Sequence, residues 1–246
     1  MTAETSMVMR TRTWWEHLLK DEAKLNTWLV RLYNNEKDAE HRFIDFAQRF
    51  CDGDMEAWHL FHFIAEQERR HAETVLAVLN ERGVEVYETS SGTGRYWSKV
   101  LPCAVDKDTA AGVGALAEQL SLERMRVIIE HPYTPKQLVD MFRQIEPDES
   151  LHARALANLA GKHGIKEVID CHSEGLIALG LKLKPLRVKA LVGMGGAEKG
   201  TVVNIGDEGK LDSNAIVWDR FPGERWELAT DGKFGMREGH HYQIVG

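Results

Sequence analysis

Cysteine is scarce in this chain of 246 residues: Cys51, Cys103 and Cys171 are odd in number and far apart. That usage fits free buried thiols in a reducing compartment rather than a disulfide framework. It also excludes a four-cysteine iron or zinc module within the chain. No apolar run approaches the ~20 residues of a membrane span. A broad basic field is missing too, since the formal net charge is −7 and the pI about 5.9, so a phosphate backbone is not an expected partner. Met1–Arg12 carries charges with no apolar core after it, which gives no secretory signal. The expected location is therefore cytoplasmic, with neither nucleic acid nor membrane as partner. No nucleophile triad, phosphate loop or dinucleotide motif stands out. Gly193-Met-Gly-Gly-Ala lies in a strand-like region and precedes no helix.

The remaining composition, 43% apolar and 28% charged, is that of a globular protein with a real core. Two regions follow different grammars. Residues 12–182 carry 3.6-residue periodicity with few turn signals. A short opening helix is expected around Thr13–Lys20, then long helices over 21–51, 54–82 and 107–131, separated by Asp52-Gly53-Asp54, Gly83 and a 84–106 crossover. Asp106 or Asp108 caps the third of these. A fourth starts near Thr134-Pro135 and ends near Gly161 or Gly164, and a last one covers 165–180. Pro147 either marks a later start of the fourth helix or distorts it so as to aim Glu149. Residues 186–246 read instead as short β-rich runs between Gly, Asp, Asn and Pro clusters, the pattern of a small antiparallel barrel or sandwich.

One pattern occurs twice within the helical region. Glu68-Arg-Arg-His71 and Glu149-Ser-Leu-His152 both read E-x-x-H, with Glu36 lying 32 positions before Glu68 and Glu118 31 positions before Glu149. Each acid falls in an otherwise apolar seam: Leu29, Leu32 and Phe43 around Glu36; Phe61, Ile64 and Val75 around Glu68 and His71; Ala111, Ala115 and Leu122 around Glu118; Phe142, Ile145 and Leu156 around Glu149 and His152. The i, i+3 spacing puts each Glu and His on one helix face. Four carboxylates facing one another in an apolar interior cost several kcal/mol each unless compensated, and the seams offer no inward lysine or arginine. Two divalent cations would neutralise them, with neutral imidazoles completing the coordination. Carboxylate and imidazole without thiolate favour iron or manganese over structural zinc. A lone E-x-x-H is more often a solvated helix face; two in register with matching upstream acids point to a dinuclear site. Glu40 and Glu123 stand one step off their seams and read as surface or supporting acids.

The segments Glu36-Lys-Asp-Ala-Glu-His-Arg-Phe, Glu68-Arg-Arg-His-Ala-Glu and Glu149-Ser-Leu-His-Ala-Arg resemble the ligand helices of the ferritin-like di-iron-carboxylate superfamily, and within it the rubrerythrin-like branch, over roughly residues 21–165. The resemblance implies a four-helix bundle with two iron ions, manganese being allowed at one or both positions. Glu68 and Glu149 would bridge them, Glu36 and His71 would complete one metal, and Glu118 and His152 the other; the same six residues are the candidate catalytic set. Where rubrerythrins carry a further glutamate on the third helix this chain has Ser121, and their four-cysteine module is absent. The expected function is a non-haem di-iron or iron–manganese oxidoreductase. It would activate O2 or peroxide on a small organic substrate, with an electron-donor protein and a homodimer both compatible. The alternative is a ferroxidase or iron-binding protein without an organic substrate, and a third reading is a scaffold that presents the β-module. The runs Gly200-Thr-Val-Val, Ala215-Ile-Val-Trp-Asp and Gly232-Lys-Phe-Gly-Met resemble the SH3-like barrel of Mind-bomb-type domains. The expected class is therefore α+β: a ferritin-like bundle over 12–182, then a small SH3-like β-barrel over 186–246.

Overall fold

The computed structural model describes residues 3–87 and 94–182, with side chains from residue 7, and beyond them the backbone of seven short strands. Two units divide the chain, Met1–Lys182 and Leu183–Gly246. The first unit is helical: α1 (Ala3–Leu19), α2 (Glu22–Phe50), α3 (Met55–Glu81), a short α4 (Gly94–Val100) running into a 3-10 turn (Leu101–Cys103), α5 (Lys107–Glu130) and α6 (Lys136–Ala178). Aspartates set three of the starts. Asp21, Asp54 and Asp106 accept from the backbone N–H groups of Lys24, Ala57 and Thr109, and Thr109 answers Asp106 to close a capping box. α6 starts without a side-chain cap. Thr134, expected to cap it, accepts from the Trp15 indole and donates to the Ile128 carbonyl, both at 2.7 Å.

α2 packs on α3 and α5 on α6, and the two pairs meet through α3 with α6 and α2 with α5. The apolar residues inside this ring form two clusters. Phe43, Phe46, Phe61, Ile64, Ala111 and Leu156 belong to one, and Leu29, Val75, Met125, Leu138, Phe142 and Ile145 to the other. In every helix the expected acid lies between a residue of the first cluster and a residue of the second. The polar layer is therefore sandwiched between two dry ones.

Glycine sets how closely α5 and α6 approach. A Cβ on Gly164 would stand 2.3 Å from the backbone oxygen of Asp108, and one on Gly112 2.8 Å from the backbone oxygen of Gly164. Neither obstacle is a side-chain tip that can swing away. Gly164→Ala is expected to destabilise the protein by about 3 kcal/mol, read as a lower urea midpoint. An alanine at Gly83, which has open space but φ of +66°, should cost only about 1 kcal/mol.

Four expectations are corrected. Helix four does not begin after Pro147: α6 passes through that residue, and its one residue with non-helical dihedrals is Gly161 (φ 59°, ψ −174°). The missing N–H is absorbed within a helix held on both flanks by neighbours. The 84–106 crossover contains α4, which places Tyr96 and Trp97 against the bundle. Cys103 and Cys171 are joined by a disulfide, leaving Cys51 as the free, buried thiol; a contact across 68 residues leaves no local trace in sequence.

The fourth correction concerns fold class. None of the residues described with side chains is in a strand, so the expected α+β bundle-plus-barrel does not hold. In the second unit, β1 (Leu186–Ala190), β2 (Val202–Ile205), β3 (Gly209–Asp212), β4 (Ala215–Trp218), β5 (Arg225–Leu228), β6 (Lys233–Gly235) and β7 (Tyr242–Val245) form one antiparallel ladder in the order β2-β1-β7-β6-β5-β4-β3. Among the described residues no register joins β2 to β3, so the ladder they form is an open sheet rather than a closed barrel. Short apolar runs between turn residues specify strands and hairpins, whereas closure needs matched stagger of distant edges, which local patterning does not encode. The motif Gly193–Ala197, the pair His240-His241 and most of the Ser-Ser-Gly-Thr-Gly stretch lie outside the described residues.

Candidate metal centre

Each helix of the ring delivers its acid to the middle layer. α2 brings Glu36, α3 brings Glu68 and His71, α5 brings Glu118, and α6 brings Glu149 and His152, all of them buried. The i, i+3 step aims each Glu–His pair the same way. Their ligand atoms gather into two sets, Glu36–Glu68–His71–Glu149 and Glu68–Glu118–Glu149–His152, with the atoms of each set within 4.8 Å of one another. Glu68 and Glu149 belong to both. Glu40 and Glu123 belong to neither, and Glu123 accepts from Gln119 at 2.8 Å.

Hydrogen bonds at the back of the imidazoles fix which nitrogen faces the layer. Nε2 of His152 donates to Oε1 of Gln67 at 2.9 Å, and Nε2 of His71 to Oδ2 of Asp148 at 3.3 Å. Nδ1 is thereby turned inward in both rings. The two contacts are reciprocal: Gln67 precedes Glu68 and serves the histidine of the other motif, and Asp148 precedes Glu149 and does the same. Nδ1 of His71 lies 3.7 Å from Glu68 and 3.5 Å from Glu149; Nδ1 of His152 lies 3.0 Å from Glu68 and 3.8 Å from Glu118.

These approaches are close but misaligned. Glu68 Oε1, His71 Nδ1, Glu149 Oε2 and His152 Nδ1 are all buried without a hydrogen-bond partner. A buried unpaired polar atom costs about 1–3 kcal/mol. Four of them, all at the expected ligand positions and facing one centre, fit a missing cation. The donor set of carboxylate oxygens and imidazole nitrogens suits a divalent transition metal, and a partner behind each imidazole is the usual support of a metal-bound histidine.

Without a metal, protons moderate the charge. Glu36 is held well above the usual carboxylate range by burial, then by the charge of Glu68; Glu149 is raised by burial, then by Glu118 and Glu68. For Glu68 burial acts upward, but the close approach and charge of His152 and His71 outweigh it and the carboxyl is lowered. His152 is pushed up to about 9: burial acts downward, and Glu118 and Glu68 outweigh it. The metal-free layer thus holds neutral Glu36 and Glu149 around an ionised Glu68 and a protonated His152. A further cation stands nearby, outside the seams. Arg42, off the seam on α2, folds its guanidinium over the Trp97 ring at 3.9 Å. Burial lowers its pKa, and Asp38, Glu68, Glu118 and Glu36 are close enough to oppose that shift.

A cavity of about 210 Å³ opens beside the layer and is lined by Glu36, Glu118 and Glu149 among others. Ser121, where the rubrerythrin resemblance lacks its extra glutamate, is on its wall. A larger depression of about 640 Å³, lined by Arg70, Glu81 and Gln144, touches none of the six residues.

Sequence reasoning missed Gln67, Asp148, Arg42 and Arg124. A signal for the first two was present, because each immediately precedes the glutamate of an E-x-x-H. The arrangement defines a helical protein with a buried Glu/His cluster that could hold a metal ion. No protein-family model, curated protein or solved structure matches the chain. No helix among the described residues is long and apolar enough to cross a membrane.

Proposed function

We propose that the chain is a non-haem dimetal oxidoreductase of the di-iron or iron–manganese carboxylate type, acting with O2 or peroxide on a small organic substrate. The observation that carries this reading is the pair of four-residue sets that share Glu68 and Glu149, with partnerless ligand atoms at their centre. In this reading residues 12–182 are the metal-carrying domain and 186–246 a separate module, and an electron-donor protein supplies reducing equivalents.

Glu68 and Glu149 would span both positions; Glu36 and His71 would complete one, Glu118 and His152 the other. Bound there, a pair of redox-active divalent ions would supply activation of O2 or peroxide. The chain's own part is to orient and to exclude water. With metal bound, Gln67 and Asp148 would keep the remaining proton of each neutral ring on Nε2, so that the Nδ1 lone pairs point inward. Phe142, Trp28 and Met125 line the cavity and limit bulk water beside Glu36 and Glu149. The cavity favours an organic substrate over iron storage, which has no use for an apolar pocket opening on the ligands.

Anaerobic ferrous titration followed by air is the test. The expected result is two ions bound per chain and O2 consumption that quickens with a fitting organic substrate. Uptake of iron with oxidation indifferent to every organic compound would favour the ferroxidase alternative, and no uptake would remove the reading. Gln67→Leu takes away the acceptor that fixes the His152 tautomer, and metal affinity should fall about 10–100-fold in competition with a chromophoric chelator.

A further inference from the structure

The cavity beside the cluster carries a cation with no assigned use. Arg124 lies on its wall. The guanidinium stacks on the Trp14 ring at 4.4 Å, its Nε is shielded from solvent with no hydrogen-bond partner, and it makes no ion pair among the described residues. Burial pushes its pKa down to about 10, so it stays charged at neutral pH. The other two arginines on the wall are different: Arg95 is exposed to solvent, and Arg42 donates to the carbonyl of Asn35 at 3.3 Å and has Asp38 and the cluster acids around it. A half-buried guanidinium with a shielded Nε and no counter-charge favours an anionic partner. Its planar fork matches a carboxylate.

The remaining wall is mostly apolar: Trp28, Leu32, Leu120, Met125, Ile128 and Phe142. A dry cavity of about 150 Å³ accepts benzene. At about 210 Å³ this one has room for a ring and a short acidic arm. The cluster carboxylates Glu36, Glu118 and Glu149 bound the same space, and none of them pairs with Arg124.

We propose that this cavity binds a small monocarboxylic acid with an apolar body about the size of a benzene ring, its carboxylate on Arg124 and its apolar body lying between that residue and the Glu/His layer. This names a substrate class for the site proposed above. It rests on that reading for the reaction but not for the binding. The monoanion matches one guanidinium, and the apolar body matches the aromatic and aliphatic wall.

The test is calorimetric titration of the chelator-treated full chain with phenylacetate and with its neutral isostere phenylacetamide. The unsubstituted protein should bind the acid at least about tenfold more tightly than the amide. Arg124→Met should weaken the acid to the level of the amide. Leu120→Trp, which fills the cavity and leaves the arginine in place, should abolish binding of both and keeps the test open if the arginine variant fails to fold. Equal affinity of the unsubstituted protein for acid and amide, no binding of the acid at millimolar concentration, or undiminished binding by Leu120→Trp would each overturn the proposal. Ferrous stoichiometry measured on the same proteins separates the two readings: a chain that binds phenylacetate through Arg124 but takes up no iron supports the carboxylate site and refutes the metal centre.

Discussion

Replacing Glu149 by glutamine is expected to abolish metal binding while leaving the metal-free protein at least as stable as before. Burial and the charges of Glu118 and Glu68 keep this carboxyl protonated. An amide has nearly the same shape and no charge, so the thermal midpoint of the chelated variant should move by no more than the equivalent of about 1 kcal/mol. Metal affinity should nevertheless drop more than a hundredfold, beyond the ~10–100-fold effect of a supporting residue, because Glu149 belongs to both ligand sets. Glu68→Gln should behave differently. Glu68 is the ionised member of the layer and lies 3.0 Å from Nδ1 of His152. Its removal leaves a buried imidazolium without its nearest counter-charge, at a cost of about 3–5 kcal/mol even without metal. Denaturation of the two chelated variants side by side checks the contrast. Equal loss of stability in both would mean that the layer's charge state has been misassigned.

The second large effect is on pH. Glu36 and Glu149 have folded-state pKa values raised above 4.5. As pH rises past 4.5 the unfolded chain releases these protons while the folded chain keeps them, so each increment favours unfolding. His152 adds to this trend. Its pKa is raised from 6.5 to about 9, so the stability it contributes is complete below 6.5 and is lost as pH climbs to about 9, an effect of at most about 3 kcal/mol. Glu68 works the other way: its lowered pKa gives stability that is present above 4.5 and lost on acidification. The metal-free protein should therefore be most stable in mildly acidic solution. From His152 alone its melting temperature should fall by about 6–12 °C between pH 6.5 and 9, and Glu36 and Glu149 act in the same direction. Metal binding displaces the protons of Glu36, Glu149 and His152, so it tightens with pH. The gap between loaded and chelated melting temperatures should widen over the same range. A constant gap would contradict this proton inventory.

The four long helices were legible because their signals are local. Asp54 and Asp106 cap where aspartate caps helices, and Gly53 and Gly83 (φ +76° and +66°) end the turns they follow. The six site residues were legible because period-3.6 seams expose an acid that does not belong in an apolar stripe. What escaped depends on contacts between distant segments. Arg42 sits off its seam and reaches Trp97, a residue of a helix hidden within a connection. The disulfide between the 3-10 turn and α6 is of the same kind, as is the strand order of the second unit. The buried negative charge also has a second solution. Buried carboxylates can be neutralised by metal or by protons, and the sequence does not reveal that Glu36 and Glu149 can hold protons while Glu68 and His152 balance each other.

Crystals grown with ferrous ion under anaerobic conditions and measured on both sides of the iron absorption edge test the metal centre most directly. Two anomalous peaks should appear in the layer between the apolar clusters, one bounded by Glu36, Glu68, His71 and Glu149, the other by Glu68, Glu118, Glu149 and His152. A featureless anomalous map at that layer, in a protein whose six side chains remain in place, would show that protons alone balance the cluster.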